Sequence, residues 1–270
     1  MTPAATANVL TPAGIIDLDR YPIDRLDGSE GRAMLDAIRA DLRARGACQL
    51  PGFLRQEAVD RLVTEATGKR DIAYRTDDVH NVYFEAIDET RPEHALLQHS
   101  SKNAIAWDRI DPDSPVRIAY EWDALTTFVG EAFGLPACHR DEDPLGACSL
   151  MLFEEGDELG WHFDRAHFVV TLMLQGARHG GEFEFFPNLR TEQDENHEGV
   201  RERLTGSRDG VITLVNEPGT LSLFRGHYSM HRVTPVKGGR TRVNAVLAYA
   251  EKPGRKLNDL TQKLFYGRTA

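Results

Sequence analysis

The sequence predicts an all-β core with flanking helices, closed as a jelly roll or barrel. Two observations predict it. From residue 147 onward the chain runs as short apolar segments: ACSLMLFEEGDELGWHFD, HFVVTLMLQ, GGEFEFFP, GVITLVNEPGTLSLFRG and RVNAVLAYAE. They are rich in β-branched and aromatic residues and are separated by Gly, Pro, Asn and Asp. No helical crossovers are read between them, which favours a double-sheet jelly roll or barrel over a parallel sheet.

Taken in order, the opening MTPAATANVL reads as a frayed terminus with neither a basic leader nor an apolar stretch. Residues 29–45 place Met34, Ile38 and Leu42 at three-and-four spacing behind a Ser29 cap, and Gly46 closes that helix. ACQLPGFL is a short strand running into a turn at Pro51-Gly52. A second helix follows over 55–69, and a third spans 116–134, ended by Gly134 and Pro136. The alternation of Val170, Leu172 and Leu174, and of Phe183 and Phe185, reads as core packing. Residues 190–210 form a charged insertion, read as a solvated helix-and-loop surface, with a border to a substrate entrance as the alternative.

With 270 residues and 41% hydrophobic content the chain suits one well-cored unit. The division is a helix-rich support over 1–140, a core over 141–252 and a tail or lid over 253–270. A net charge of −10 without a basic stripe argues against nucleic acid as a partner, and no apolar run is long enough to span a membrane. Cys48, Cys138 and Cys148 lack paired spacing, so reduced, buried thiols and a cytoplasmic location are expected.

The chemistry centres on GWHFDRAHF. His162 and Asp164 lie two apart, which on a strand aims an imidazole and a carboxylate at one face. A further ligand, His231, arrives in FRGHYSMHRVTPV, on a strand-end turn that an antiparallel jelly roll folds back beside the pair. Two histidines and one carboxylate occupying one face of an octahedron suit iron(II), leaving positions open for a chelating cosubstrate and O2. Zinc with the same three ligands and a water is the alternative, though zinc hydrolases usually draw two ligands from one helix. His167, His179 and His227 lie nearby but lack this pattern and are given surface or supporting roles. Downstream, RTRVNAVLAYAE offers Arg240, Arg242 and Asn244 on one strand face, and a guanidinium pairs in bidentate fashion with a carboxylate. Arg242 is the choice for the distal carboxylate of 2-oxoglutarate, with Arg240 as its competitor.

These residues resemble the Fe(II)/2-oxoglutarate-dependent oxygenases, whose His-x-Asp…His motif and downstream arginine match His162, Asp164, His231 and Arg242. The resemblance covers about residues 145 to 250. DPLGACSLMLFEEGDELGWHFDRAHFVVTLMLQ, GGEFEFFPNLR and PGTLSLFRGHYSMHRVTPVKGGRTRVNAVLAY are similar to the branch of radical halogenases and hydroxylases of free amino acids such as lysine. It implies a double-stranded β-helix with flanking helices, Fe(2+), 2-oxoglutarate and O2, with ascorbate supportive. It also implies that Arg242, two residues before Asn244, receives the cosubstrate. In that branch the halogenases replace the carboxylate ligand by a small residue, which admits chloride; with Asp164 present, hydroxylation is the implied outcome.

For the substrate, a small molecule, the acidic run Asp141, Glu142 and Asp143 is read either as the partner of an ammonium group or as a solvated loop, and Trp161 either as a wall of the pocket or as a core tryptophan. A homodimer is compatible with the sequence. The rivals are the same chemistry on a peptide, a carrier-tethered amino acid or another metabolite, and a non-catalytic cupin-like binding barrel.

Overall fold

The computed structural model describes residues 10–270; the stretch read above as a frayed terminus lies, apart from Leu10, outside them. The helices are α1 (Pro12–Ile15), α2 (Ser29–Arg45), α3 (Gln56–Gly68), α4 (Pro115–Glu121), α5 (Asp123–Phe133), α6 (His197–Leu204) and α7 (Asp259–Tyr266). The first strands are β1 (Ala47–Leu50), β2 (Tyr74–His80), β3 (Gln98–Ile105), β4 (His139–Arg140), β5 (Cys148–Phe153), β6 (Leu159–His162) and β7 (Val169–Gln175). The remainder are β8 (Phe183–Phe186), β9 (Ile212–Thr213), β10 (Leu221–Phe224), β11 (Met230–Val233), β12 (Arg242–Leu247) and β13 (Tyr249–Ala250).

Among the described residues, eleven strands form one antiparallel sheet in the order β1-β10-β7-β12-β5-β3-β6-β11-β8-β9, with β2 on the free side of β3. The sheet curls until its distant parts meet: Phe224 of β10 packs edge-on against Phe183 and Phe185 of β8, with ring centres 5.0 and 5.2 Å apart. This is the predicted jelly roll. The period of two then sorts every strand. Leu150 and Leu152, Val170 and Leu172, Leu221 and Leu223, and Val243 and Ala245 face the main core, where α2 to α5 cover them. Met151, Met173 and Asn244 are register partners across β5, β12 and β7 and face the interior of the curl.

The helices follow their periodicity, with three differences. Ser29 is the first helical residue and Gly28 the cap, without a side-chain hydrogen bond; Gly46 ends the helix at φ +69°, a conformation glycine adopts without strain. The expected helix over 116–134 is two, because Trp122 is extended (φ −78°, ψ 120°) and serves as the cap of α5. The 190–210 insertion is not merely solvated: α6 buries Val200 completely in a satellite core with Trp161, Phe163, Phe186 and Met230.

The N-terminal half also holds β2 and β3, which the pattern of apolar residues does not reveal. β2, YRTDDVH, is an edge strand whose Val79 is 57% exposed, so it has no apolar face to announce it. No helix is long and apolar enough to cross a membrane among the described residues.

Candidate metal centre

β6 and β11 pair so that His162 and His231 are register partners, with ring centres 4.1 Å apart. β6 ends at His162, so Asp164 is held in the following turn rather than on the strand, its amide donating to the carbonyl of Gly226 at 3.1 Å. His231 is likewise inside β11 and not in a turn. The three side chains still converge: Asp164 Oδ2 is 3.3 Å from His231 Nε2, and Oδ1 is 3.7 Å from His162 Nε2.

Each imidazole is oriented by its own backbone. His162 Nδ1 donates to Gly160 O at 2.8 Å and His231 Nδ1 to Ser229 O at 2.9 Å, an assignment that leaves both Nε2 lone pairs facing Asp164. Burial, reinforced by the neighbouring His231, pushes His162 down to about 3, so it is neutral and ready to ligate. Burial would raise Asp164, but the two histidines outweigh it and hold the carboxyl below its ordinary value. Phe183 and Phe224 flank His231 at 5.3 and 4.8 Å, and Phe84 and His80 flank His162 at 5.4 and 6.2 Å. Two imidazole nitrogens and one carboxylate, within 4.8 Å of one another, form a donor set that fits a divalent ion bound on one face, with further positions open.

Arg242 opens β12 inside the curl. It donates to Gly181 O at 2.9 Å and Asn244 Oδ1 at 2.7 Å, lies over the Phe153 ring at 5.0 Å, and is only 4% exposed. No carboxylate pairs with it among the described residues, and burial lowers its pKa to about 10. A buried guanidinium without a counterion is a socket for an anion. Arg240 precedes the strand and is exposed, bonded to Gly176 O; the two arginines do not share a face.

Four residues expected around the substrate have other partners in the structure. Trp161 neighbours His162 on β6 and therefore points the other way, packing on Phe186 at 5.0 Å beneath Arg232. Glu142 is exposed and accepts from the amide of Gly254. Asp143 is buried and fully engaged: Oδ1 accepts from the amides of Leu145 and Gly146, Oδ2 from Leu257 N and Gln262 Nε2. It anchors α7 rather than a ligand. Asp141 is taken by Arg255 and the amide of Asp143.

His179 bridges to Lys237 through its backbone, while His227 braces the site, its Nδ1 lying 3.1 Å from Asp164 O. His227 also forms, with His167 and Glu192, a second group of potential ligands; His167 and Glu192 are exposed, and Glu192 already accepts from the Tyr228 hydroxyl. Two residues that sequence reasoning missed are Gly226, packed against Asp164, and Lys102 on β3.

The curled sheet and the facial arrangement of His162, Asp164 and His231 define a protein with the fold of the 2-oxoglutarate Fe(II) oxygenases. AviO1 from Streptomyces viridochromogenes Tue57 is 18% identical, over 82% of this chain and 96% of that one, with a TM-score of 0.57. An oxidoreductase of the 2OG-Fe(II) oxygenase family from Burkholderia pseudomallei is 17% identical over 82% and 92%, with a TM-score of 0.51. A Pseudomonas putida prolyl-4-hydroxylase is 20% identical over 79% and 97%, with a TM-score of 0.50. No curated protein matches the sequence. Residues 31–264 match the family Halogenase D, and the chain belongs to that family.

Proposed function

We propose that the protein is an Fe(II)- and 2-oxoglutarate-dependent hydroxylase of a small amino-acid-like substrate, with lysine or another basic amino acid as the first to test. The observation that carries this reading is Asp164. In a Halogenase D chain it stands as a carboxylate facing both histidine Nε2 atoms, where the resemblance gives halogenases a small residue.

His162, Asp164 and His231 would hold the iron, which supplies O2 activation and C–H oxidation when bound. Arg242, fixed by Gly181 O and Asn244, would take the distal carboxylate of 2-oxoglutarate. One oxygen atom of O2 goes to the substrate and one to the succinate left when 2-oxoglutarate loses CO2. The aromatic rings around both histidines keep water from the reacting centre. Ascorbate would support turnover by keeping iron reduced.

The test is incubation with iron(II), ascorbate, 2-oxoglutarate and a pool of free amino acids, followed by mass spectrometry. The expected result is one basic amino acid gaining a single oxygen, matched by succinate and abolished by a chelator or by His162→Ala. Succinate formation without a modified amino acid would move the substrate to a peptide, a carrier-tethered amino acid or another metabolite. Absence of both, with cell extract as substrate source, would favour the non-catalytic binding barrel.

A further inference from the structure

The interior face of β3 carries Ser100, Lys102 and Ala104 in succession. Ser100 Oγ bonds His80 Nε2 at 2.7 Å and the amide of Gly160, placing that end of the stripe beside His162. Ala104 packs with Met151 and Tyr266, placing the other end under α7. Lys102 lies between them, partly buried, its Nζ 5.4 Å from the Phe265 ring. Among the described residues it makes neither an ion pair nor a hydrogen bond.

The carboxylates whose charge it feels are Asp164 and Asp157. Asp157 is already shared by Arg75, Ser101 Oγ and the amide of Glu154, and Asp164 faces the histidines. Burial accordingly pushes Lys102 down to about 8. An ammonium drawn partly out of water without a partner is costly, and an arriving anion offsets that cost. Arg242 opens β12, across β5 from β3, and is held there by Gly181 and Asn244. The interior thus presents two separate cationic sockets.

We propose that Lys102 is the residue that binds the carboxylate of the substrate and so sets the preference for an acid over its amide. The inference rests on the hydroxylase reading for the role of the second socket, Arg242. Ser149 Oγ and Tyr266 Oη, 2.7 Å apart, put hydroxyl groups on the wall that α7 adds to the same interior.

The experiment is anaerobic calorimetry of the protein, with and without iron(II) and 2-oxoglutarate, against the twenty common amino acids and their carboxamides. The parent should bind at least one free acid, and its amide about tenfold or more weaker. Lys102→Met should lose about the same factor for the acid and little for the amide, while Lys102→Arg recovers most of it. The visible charge-transfer band of the iron–2-oxoglutarate complex is read in parallel and should form in both variants. Equal binding of acid and amide, an unaffected Lys102→Met, or no binding by any acid overturns the proposal. Loss of the band in Lys102→Met does so too, since the residue would then serve the cosubstrate or the fold. A parent lacking the band but still separating acid from amide would sink the oxygenase reading and leave the carboxylate socket standing.

Discussion

Gly226 and Asp164 are fitted to one another. A β-carbon at 226 would lie 1.7 Å from Asp164 Oδ2, while the Gly226 carbonyl accepts the Asp164 amide at 3.1 Å. The backbone at 226 is outside the left-handed region, so alanine is not strained there by its own dihedrals. The glycine is needed for space alone. Gly226→Ala should displace the carboxylate and weaken iron(II) binding by about tenfold or more. Combined with Asp164→Gly it should add almost nothing, because the clash has no partner left. Metal titration of both single variants and the double variant reads this; additive losses would refute the fit.

Asp164→Gly should abolish oxygen insertion, by at least about a hundredfold in turnover, because one of the three proposed ligands is gone. The vacated position makes halide uptake the second measurement, read as a chlorinated product in chloride buffer and a brominated one after exchange into bromide. Hydroxylation at the parental rate would show that Asp164 is not a ligand.

The convergence of His162, Asp164 and His231 was legible in the sequence from residue types and spacing, and only the boundaries of β6 and β11 were misplaced around them. Of the two readings of Trp161 the structure takes the core one, and the rule to choose it was at hand: next to an inward His162 on a strand, it faces outward. Asp143 and Glu142 could not be sorted by type, since an acid that caps backbone amides and one that meets a ligand have the same letter. Lys102 was hidden because β2 and β3 pair through polar, partly exposed residues with little apolar alternation. Gly226 depends on two segments approaching closely across the fold, a contact that no local pattern encodes.

Arg242→Gln should raise the KM for 2-oxoglutarate by about tenfold or more, the scale of a lost charge-assisted pair. Asn244 loses its donor at the same time. Arg242→Lys keeps the charge but not the fork and should fall between the two. Arg240→Gln, outside the curl, should leave that KM unchanged. Succinate release as a function of 2-oxoglutarate concentration measures all three, and equal effects at 240 and 242 would contradict the assignment.

Glu184 marks a pH limit on the fold. Burial would raise its carboxyl, yet Arg208 and Arg232 outweigh burial and hold it below the ordinary 4.5. A carboxyl depressed in the folded state contributes its stability above the unfolded value and loses it as pH falls through the folded one. Glu184→Gln should therefore melt at a lower temperature than the parent near neutrality, and the gap should close as pH drops well below 4.5. A gap that persists in acid would mean packing, not charge, is what the substitution removed.

Asp143 ties the C-terminal segment to the barrel through two oxygens and four donors, two of them from Leu257 and Gln262. Asp143→Ala leaves those buried amides unsatisfied, and about 3 kcal/mol of stability should be lost, concentrated at α7. Tyr266 and Phe265 then cease to be held against Ser149 and Lys102, whereas Arg242, on β12 and bonded to Gly181 and Asn244, is untouched. The expected signature is a split: the KM for the organic substrate rises while the KM for 2-oxoglutarate stays within about twofold, and limited proteolysis removes the residues after 252 first. Should both KM values rise together, α7 supports the whole barrel and not the wall of one socket.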